Sequence, residues 1–256
     1  MSAPKVAAEW TFHHIGLLVT GVGEEKFLPR FLRSLMECGN CSVEVIRRIP
    51  QRSARTSPKR QLRMVNTGKT IPDSDVEQIG LPARLYLSKS GSRFVVLVDD
   101  LENSRQEDHA IHFTRYRTAL DTMLVPWQGN QCQRASVHFL VNMVEAYYFA
   151  DLRTVTEIMG SELSGHTGDV EEIRHPKNDL KASYPGFDEV EHGERIANQI
   201  DLPRVLSNPS TCASLRTLIK WCVLSMRQPP TERFQLLTGV THPLTSGQIP
   251  GPAIAE

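Results

Sequence analysis

Three unbroken apolar runs mark the first 150 positions: Ile15-Gly16-Leu17-Leu18-Val19, Phe94-Val95-Val96-Leu97-Val98, and Val137-His138-Phe139-Leu140-Val141-Asn142-Met143-Val144. Apolar residues at successive rather than alternate positions mark strands buried on both faces, as in a parallel sheet. The pattern predicts strands from about His14 to Val19, Val43 to Ile49, Phe94 to Val98 and Val137 to Met143. Between them the period changes. Phe27, Leu28, Phe31, Leu32, Leu35 and Met36 form one stripe, which predicts a helix over about Glu25–Glu37 with Pro29 near its first turn. Tyr116, Ala119, Leu120, Met123 and Leu124 predict a second helix near Gln106–Leu124. Ala146–Ala150 reads as a buried helical turn, with Asp151 or Thr154 capping the helix after it and Glu157 at capping-box spacing from Thr154. Strand alternating with helix predicts a three-layer α/β fold around a mostly parallel sheet.

After Gly160 the pattern turns loop-rich, then helical from Ser214 to Met226. The expected organisation is a flexible lead over 1–11, an α/β core over 12–160 with a basic insertion at 47–72, and a helical, loop-rich portion of the same domain over 161–240. A tail over 241–256, with Pro243, Gly247, Pro250, Gly251 and Pro252, is expected to be disordered.

Composition adds little. The 256 residues are 40% hydrophobic and 23% charged, enough for a sizeable core, and the formal net charge is zero. The distribution of charge says more. From Arg47 to Pro72 there is no acid, while Arg47, Arg48, Arg52, Arg55, Lys59, Arg60, Arg63 and Lys69 are basic. Such a stretch suits contact with a nucleic-acid backbone, and equally a solvated loop or a docking surface for an acidic partner. Five cysteines, no apolar signal stretch before Trp10 and no run near ~20 apolar residues lead to the expectation of a reduced cytoplasmic protein without a membrane span.

Acids follow the apolar runs: Glu24-Glu25 after the turn Thr20-Gly21-Val22-Gly23, then Asp99-Asp100-Leu101-Glu102, then Glu145. Parallel sheets bind ligands at the carboxyl ends of their strands, and carboxylates gathered there suit Mg²⁺. Other motifs fall away. Asn66-Thr67-Gly68-Lys69-Thr70 has Arg63 where a phosphate-binding loop needs its first glycine. Cys38-Gly39-Asn40-Cys41 has no second pair with which to hold zinc. Tyr147, Tyr148 and Phe149, flanked by Ala146 and Ala150, suit core packing better than base stacking.

The order of these motifs resembles a Toprim-like bacterial family long catalogued as a domain of unknown function. The resemblance rests on Gly-x-Gly-Glu-Glu after the first strand, Asp-Asp-x-Glu after a later one, and Val141-Asn142-Met143-Val144-Glu145-Ala146-Tyr147-Tyr148-Phe149-Ala150-Asp151. It continues through His175-Pro176-Lys177-Asn178-Asp179-Leu180, Gly186-Phe187-Asp188 and Ile200-Asp201-Leu202, covering roughly residues 12 to 225. The family is related to RloB-like proteins and distantly to OLD-type nucleases. Its members often stand beside AAA/ABC-type ATPases in anti-phage clusters.

The resemblance implies a Toprim-like three-layer sandwich and Mg²⁺- or Mn²⁺-dependent cleavage of DNA or RNA. It implies metal ligands at Glu24, Asp99 and Asp100 or Glu102, with Lys177, Lys181 or an arginine of the basic stretch neutralising the scissile phosphate. Glu145, beyond the third run, is placed to supply a further ligand to the catalytic set. Two departures matter: Thr20 stands where Toprim enzymes carry their principal glutamate, and Leu101 stands at the second acid position of the later strand, where Asp100-Leu101-Glu102 restores an acidic pair only in a shifted frame. The alternative is a catalytically inactive, Toprim-derived sensor or adaptor for the ATPase.

Overall fold

The structure, a computed structural model, describes residues 11–37, 40–49, 74–101, 109–127, 130–160, 165–166, 168–226 and 239–240. Four strands, β1 (His13–Val19), β2 (Cys41–Arg48), β3 (Arg93–Leu101) and β4 (Ala135–Val141), form one sheet in the order β2-β1-β3-β4. Every pairing is parallel. Successive residues face opposite layers, and both faces are apolar, which is why the runs read as continuous. Ile15, Leu17, Val19, Phe94, Val96, Val98 and Leu140 join one core; Leu18, Val95, Leu97, Leu101, Val137 and Phe139 join the other.

The second core is closed by α3 (Leu81–Leu87), entered through a π-helical turn at Val76–Gly80, and by α4 (His109–Leu124). The first is closed by α1 (Val22–Phe31), α2 (Arg33–Met36), α5 (Leu152–Met159), α6 (Pro176–Ser183), α7 (Glu191–Gln199), α8 (Leu202–Val205) and α9 (Ala213–Ser225). The result is the three-layer α/β sandwich that the strand and helix periods predict. Residues from β1 through Met226 share the first core, so the C-terminal helices complete the layer over the sheet.

Several boundaries differ from the expectation. The first helix starts at Val22, which leaves Pro29 inside it and not in its first turn, and it yields at Leu32 before α2 resumes. The helical stretch over 76–87 has no counterpart in the sequence reading, although Ile79, Ala83, Tyr86 and Leu87 are spaced for one buried face. Asp151 alone caps α5, accepting from Thr154 N, and the Thr154 hydroxyl turns back to Asp151 at 2.8 Å. No described helix is long and apolar enough to cross a membrane. The basic residues Arg52, Arg55, Lys59, Arg60 and Arg63, with Lys69, Glu102, Cys38 and Gly39, lie outside the described residues.

Gly16 is the closest approach in the sheet. A Cβ there would stand 2.7 Å from the Tyr86 ring. The ring cannot retreat freely: the Arg93 guanidinium covers it at 4.5 Å, and its hydroxyl donates to Glu44 at 2.8 Å. Gly16→Ala is therefore expected to destabilise the fold by about 1–3 kcal/mol through overpacking. Urea denaturation measures this, and an unchanged midpoint would contradict the packing described.

Candidate active site

A cleft of about 310 Å³ opens at the carboxyl edge of the sheet. Three adjacent strands each send a carboxylate into it: Glu24 follows β1, Asp100 ends β3 and Glu145 follows β4. Lys177 of α6 lines the same space, as do Glu189 and Val190 from the α6–α7 loop.

The backbone explains how each is placed. Gly21 precedes α1, and the Glu24 side chain folds back over it, so that a Cβ on Gly21 would lie 1.8 Å from Oε2. Only glycine permits that approach. After β4, Asn142 and Met143 both take positive φ, 59° and 74°. A non-glycine residue in such a conformation costs on the order of 1–3 kcal/mol, and residues of this kind cluster at working sites. The Asn142 amide, donating to Glu171 O at 2.7 Å, pins this turn. The turn then delivers Glu145 in the first positions of a 3₁₀ helix over Val144–Ala150.

Asp99 behaves differently from the expectation. The sequence reading ended the strand at Val98 and placed all the acids in the turn beyond it. In the structure β3 runs through Leu101, so Asp99 and Asp100 point to opposite faces. Asp100 joins the cleft. Asp99 is fully buried toward α4, accepting from the Thr20 hydroxyl at 2.6 Å and from the Tyr116 hydroxyl at 2.8 Å. It does not line the cleft. Thr20, just after the first apolar run, thus binds this aspartate directly.

The electrostatics of the cleft are strained in one direction. Burial raises the Glu24 carboxyl above its ordinary range, and Glu145 and Asp99 add to the rise. Burial likewise raises Glu145, while Lys177, 3.4 Å away, works against the shift. For Lys177 burial opposes the charge, yet Glu145 and Glu189 more than offset it and its pKa is raised. Behind the carboxylates, Tyr148 is buried, and among the described residues its hydroxyl has no hydrogen-bond partner. Its phenol is raised well above 10 by burial and by the charges of Glu145 and Glu24. The sequence reading assigned Tyr148 to the core, and the ring does lie there; only its hydroxyl belongs with the site.

Of the metal set expected at Glu24, Asp99, Asp100 and Glu102, Glu24 and Asp100 share the cleft, Asp99 faces the other layer and Glu102 lies outside the described residues. Among the described residues no three His, Cys, Asp or Glu side chains stand close enough to hold one ion. Hard carboxylate oxygens have the right chemistry for Mg²⁺ or Mn²⁺. Asp99, however, faces away, and Lys177 already pairs with Glu145. The described donors do not fit a metal by themselves.

Arg47 and Arg48 end β2 beside the end of β1, with Arg48 in register with Val19. The Arg48 guanidinium lies 3.1 Å from Glu25, next to the cleft residue Glu24. Arg47 and Arg48 therefore stand at the edge of the sheet that carries the cleft. Glu189 is not among the site residues that the sequence reading predicts.

No curated protein and no solved structure matches the chain. A family described as a domain of unknown function, DUF4276, matches residues 19–221, from the last residue of β1 into α9. That match spans both layers of helices and every residue lining the cleft, and the chain belongs to this family.

Proposed function

We propose that the chain is a nucleic-acid phosphodiester hydrolase whose reaction centre is the cleft of Glu24, Asp100, Glu145 and Lys177. The observation that carries this reading is the convergence of carboxylates from three adjacent strand ends on one cleft that also holds a lysine. The Toprim-like resemblance supplies the reaction class. On the same reading the protein serves as the effector of an anti-phage system with an AAA/ABC-type ATPase partner.

The residues have complementary parts. Lys177 can offset charge on a non-bridging phosphate oxygen. Glu145, with Lys177 beside it, is the carboxylate better kept ionised, able to take a proton from the attacking water. Among the described residues Glu24 forms no such direct ion pair, and burial raises it, which suits it to hold a proton for the departing oxygen as the P–O bond breaks.

The test is a panel of plasmid DNA, single-stranded DNA and tRNA, incubated with wild type and with Lys177→Ala in Mg²⁺, in Mn²⁺ and in chelator. Cleavage by wild type that falls by about 10²-fold or more in the variant is expected. Equal cleavage by both proteins would remove the cleft from the chemistry.

A specific observation favours a second reading, the adaptor without catalysis: the 2.6 Å bond from Thr20 to Asp99 joins two positions that a Toprim enzyme uses for catalysis. An intact complex with the ATPase, inactive on every substrate, would support it.

A further inference from the structure

We infer that Lys177 and Lys181 form a phosphate subsite at the mouth of the cleft, and that the Glu189 carboxylate occupies it as a built-in competitor. The two lysines are four residues apart on α6, so their side chains emerge from one face a turn apart. Glu189 reaches them as a fork. Its Oε2 lies 3.4 Å from Lys177 Nζ and its Oε1 lies 2.7 Å from Lys181 Nζ. Each carboxylate oxygen meets its own ammonium, as two non-bridging oxygens of a phosphodiester could. Lys177 also touches Glu145 at 3.4 Å, so the anion position adjoins the reaction centre.

The loop is built so that only the side chain needs to move. The Asp188 carboxylate accepts from the Val190 and Glu191 amides at 2.8 and 2.7 Å, and the Asp188 amide donates to His192 Nδ1 at 2.9 Å. These bonds hold the backbone on both sides of Glu189. Its side chain is 39% exposed and can swing into water at little cost, because solvent weakens an exposed ion pair. A backbone phosphate arriving in the cleft can take both lysines in its place. Empty, the cleft keeps its lysines neutralised and screened; filled, it gains two cations for the substrate. That the ligand is a nucleic-acid phosphate rests on the proposed function; the exchange at the lysines does not.

The experiment needs no cleavage. Fluorescence anisotropy compares binding of a phosphorothioate oligonucleotide, which keeps its backbone charge, with binding of an uncharged methylphosphonate oligonucleotide. Wild type, Glu189→Gln, Lys181→Gln and the double variant are measured as full chains of equal melting behaviour. Glu189→Gln is expected to bind the charged oligonucleotide about tenfold tighter. That gain should shrink to under about twofold in the Lys181→Gln background, because the two residues act on one another. The uncharged oligonucleotide should show neither effect.

Equal affinity of Glu189→Gln and wild type would overturn the subsite. So would a gain that persists without Lys181, since that is a diffuse effect of net charge. If wild type cleaves nothing yet the cycle behaves as stated, the nuclease reading fails and the subsite stands. If cleavage depends on Glu145 but the cycle is flat, the reverse holds.

Discussion

Glu145→Gln is expected to lose about 10²- to 10³-fold in cleavage rate while the protein melts at a higher temperature at pH 7. The two effects have one cause. Glu145 is almost fully buried, and burial pushes its carboxyl upward, so the folded protein holds its charge at a cost. A neutral amide of the same shape removes that cost and leaves Lys177 paired with Glu189. On the proposed mechanism it also removes the group that accepts the proton from water. A side chain that serves stability alone does the opposite when replaced: melting falls while the protein that remains folded keeps its activity. Thermal melting beside a single-turnover assay separates the cases. A lower melting temperature with full activity would place Glu145 among the structural residues.

The second large effect concerns pH. Glu171 sits deep between the 3₁₀ helix of Glu145 and the start of α9. It accepts from Tyr147 Oη at 2.8 Å and from Ser214 N at 2.9 Å. Burial outweighs these favourable bonds and raises its carboxyl to about 7. The folded state therefore binds this proton more tightly than the unfolded chain, whose ordinary value is 4.5. The resulting stabilisation is complete below about pH 4.5 and is lost as pH rises through about 7. The difference amounts to about 3 kcal/mol, or about 6–12 °C in melting temperature for a chain of this size. Glu171→Gln should melt like wild type near pH 5 and above it at pH 8. Parallel melting curves for the two proteins across that range would show that Glu171 is not the group responsible.

Much of this was legible before any coordinates, and what failed did so for identifiable reasons. The continuous apolar runs carried the parallel sheet, because burial on both faces erases the alternation an open sheet would show. Glu24 and Glu145 were legible as residues just beyond strand ends. Asp99 and Asp100 were not resolved from one another, because acids are rare inside strands and the run seemed to stop at Val98; the two-residue period then splits them between layers. Lys177 came from resemblance alone. Its contact with Glu145 joins residues 32 positions apart in sequence, and no local spacing encodes such a pairing. Glu189 looked like one acid in a charged stretch. Its role becomes visible only when α6 brings two lysines to it. The orphan hydroxyl of Tyr148 has no sequence signature, since its ring packs as the pattern says it should.

Whether the carboxylates of the cleft perform phosphodiester hydrolysis is decided by cleavage and melting measured together on wild type and on the Glu24→Gln, Glu145→Gln double variant, with tRNA and plasmid DNA in Mn²⁺ and in chelator. Cleavage by wild type, none by the variant, and a variant that melts at least as high are expected. Cleavage that survives both substitutions in a folded protein would contradict that role.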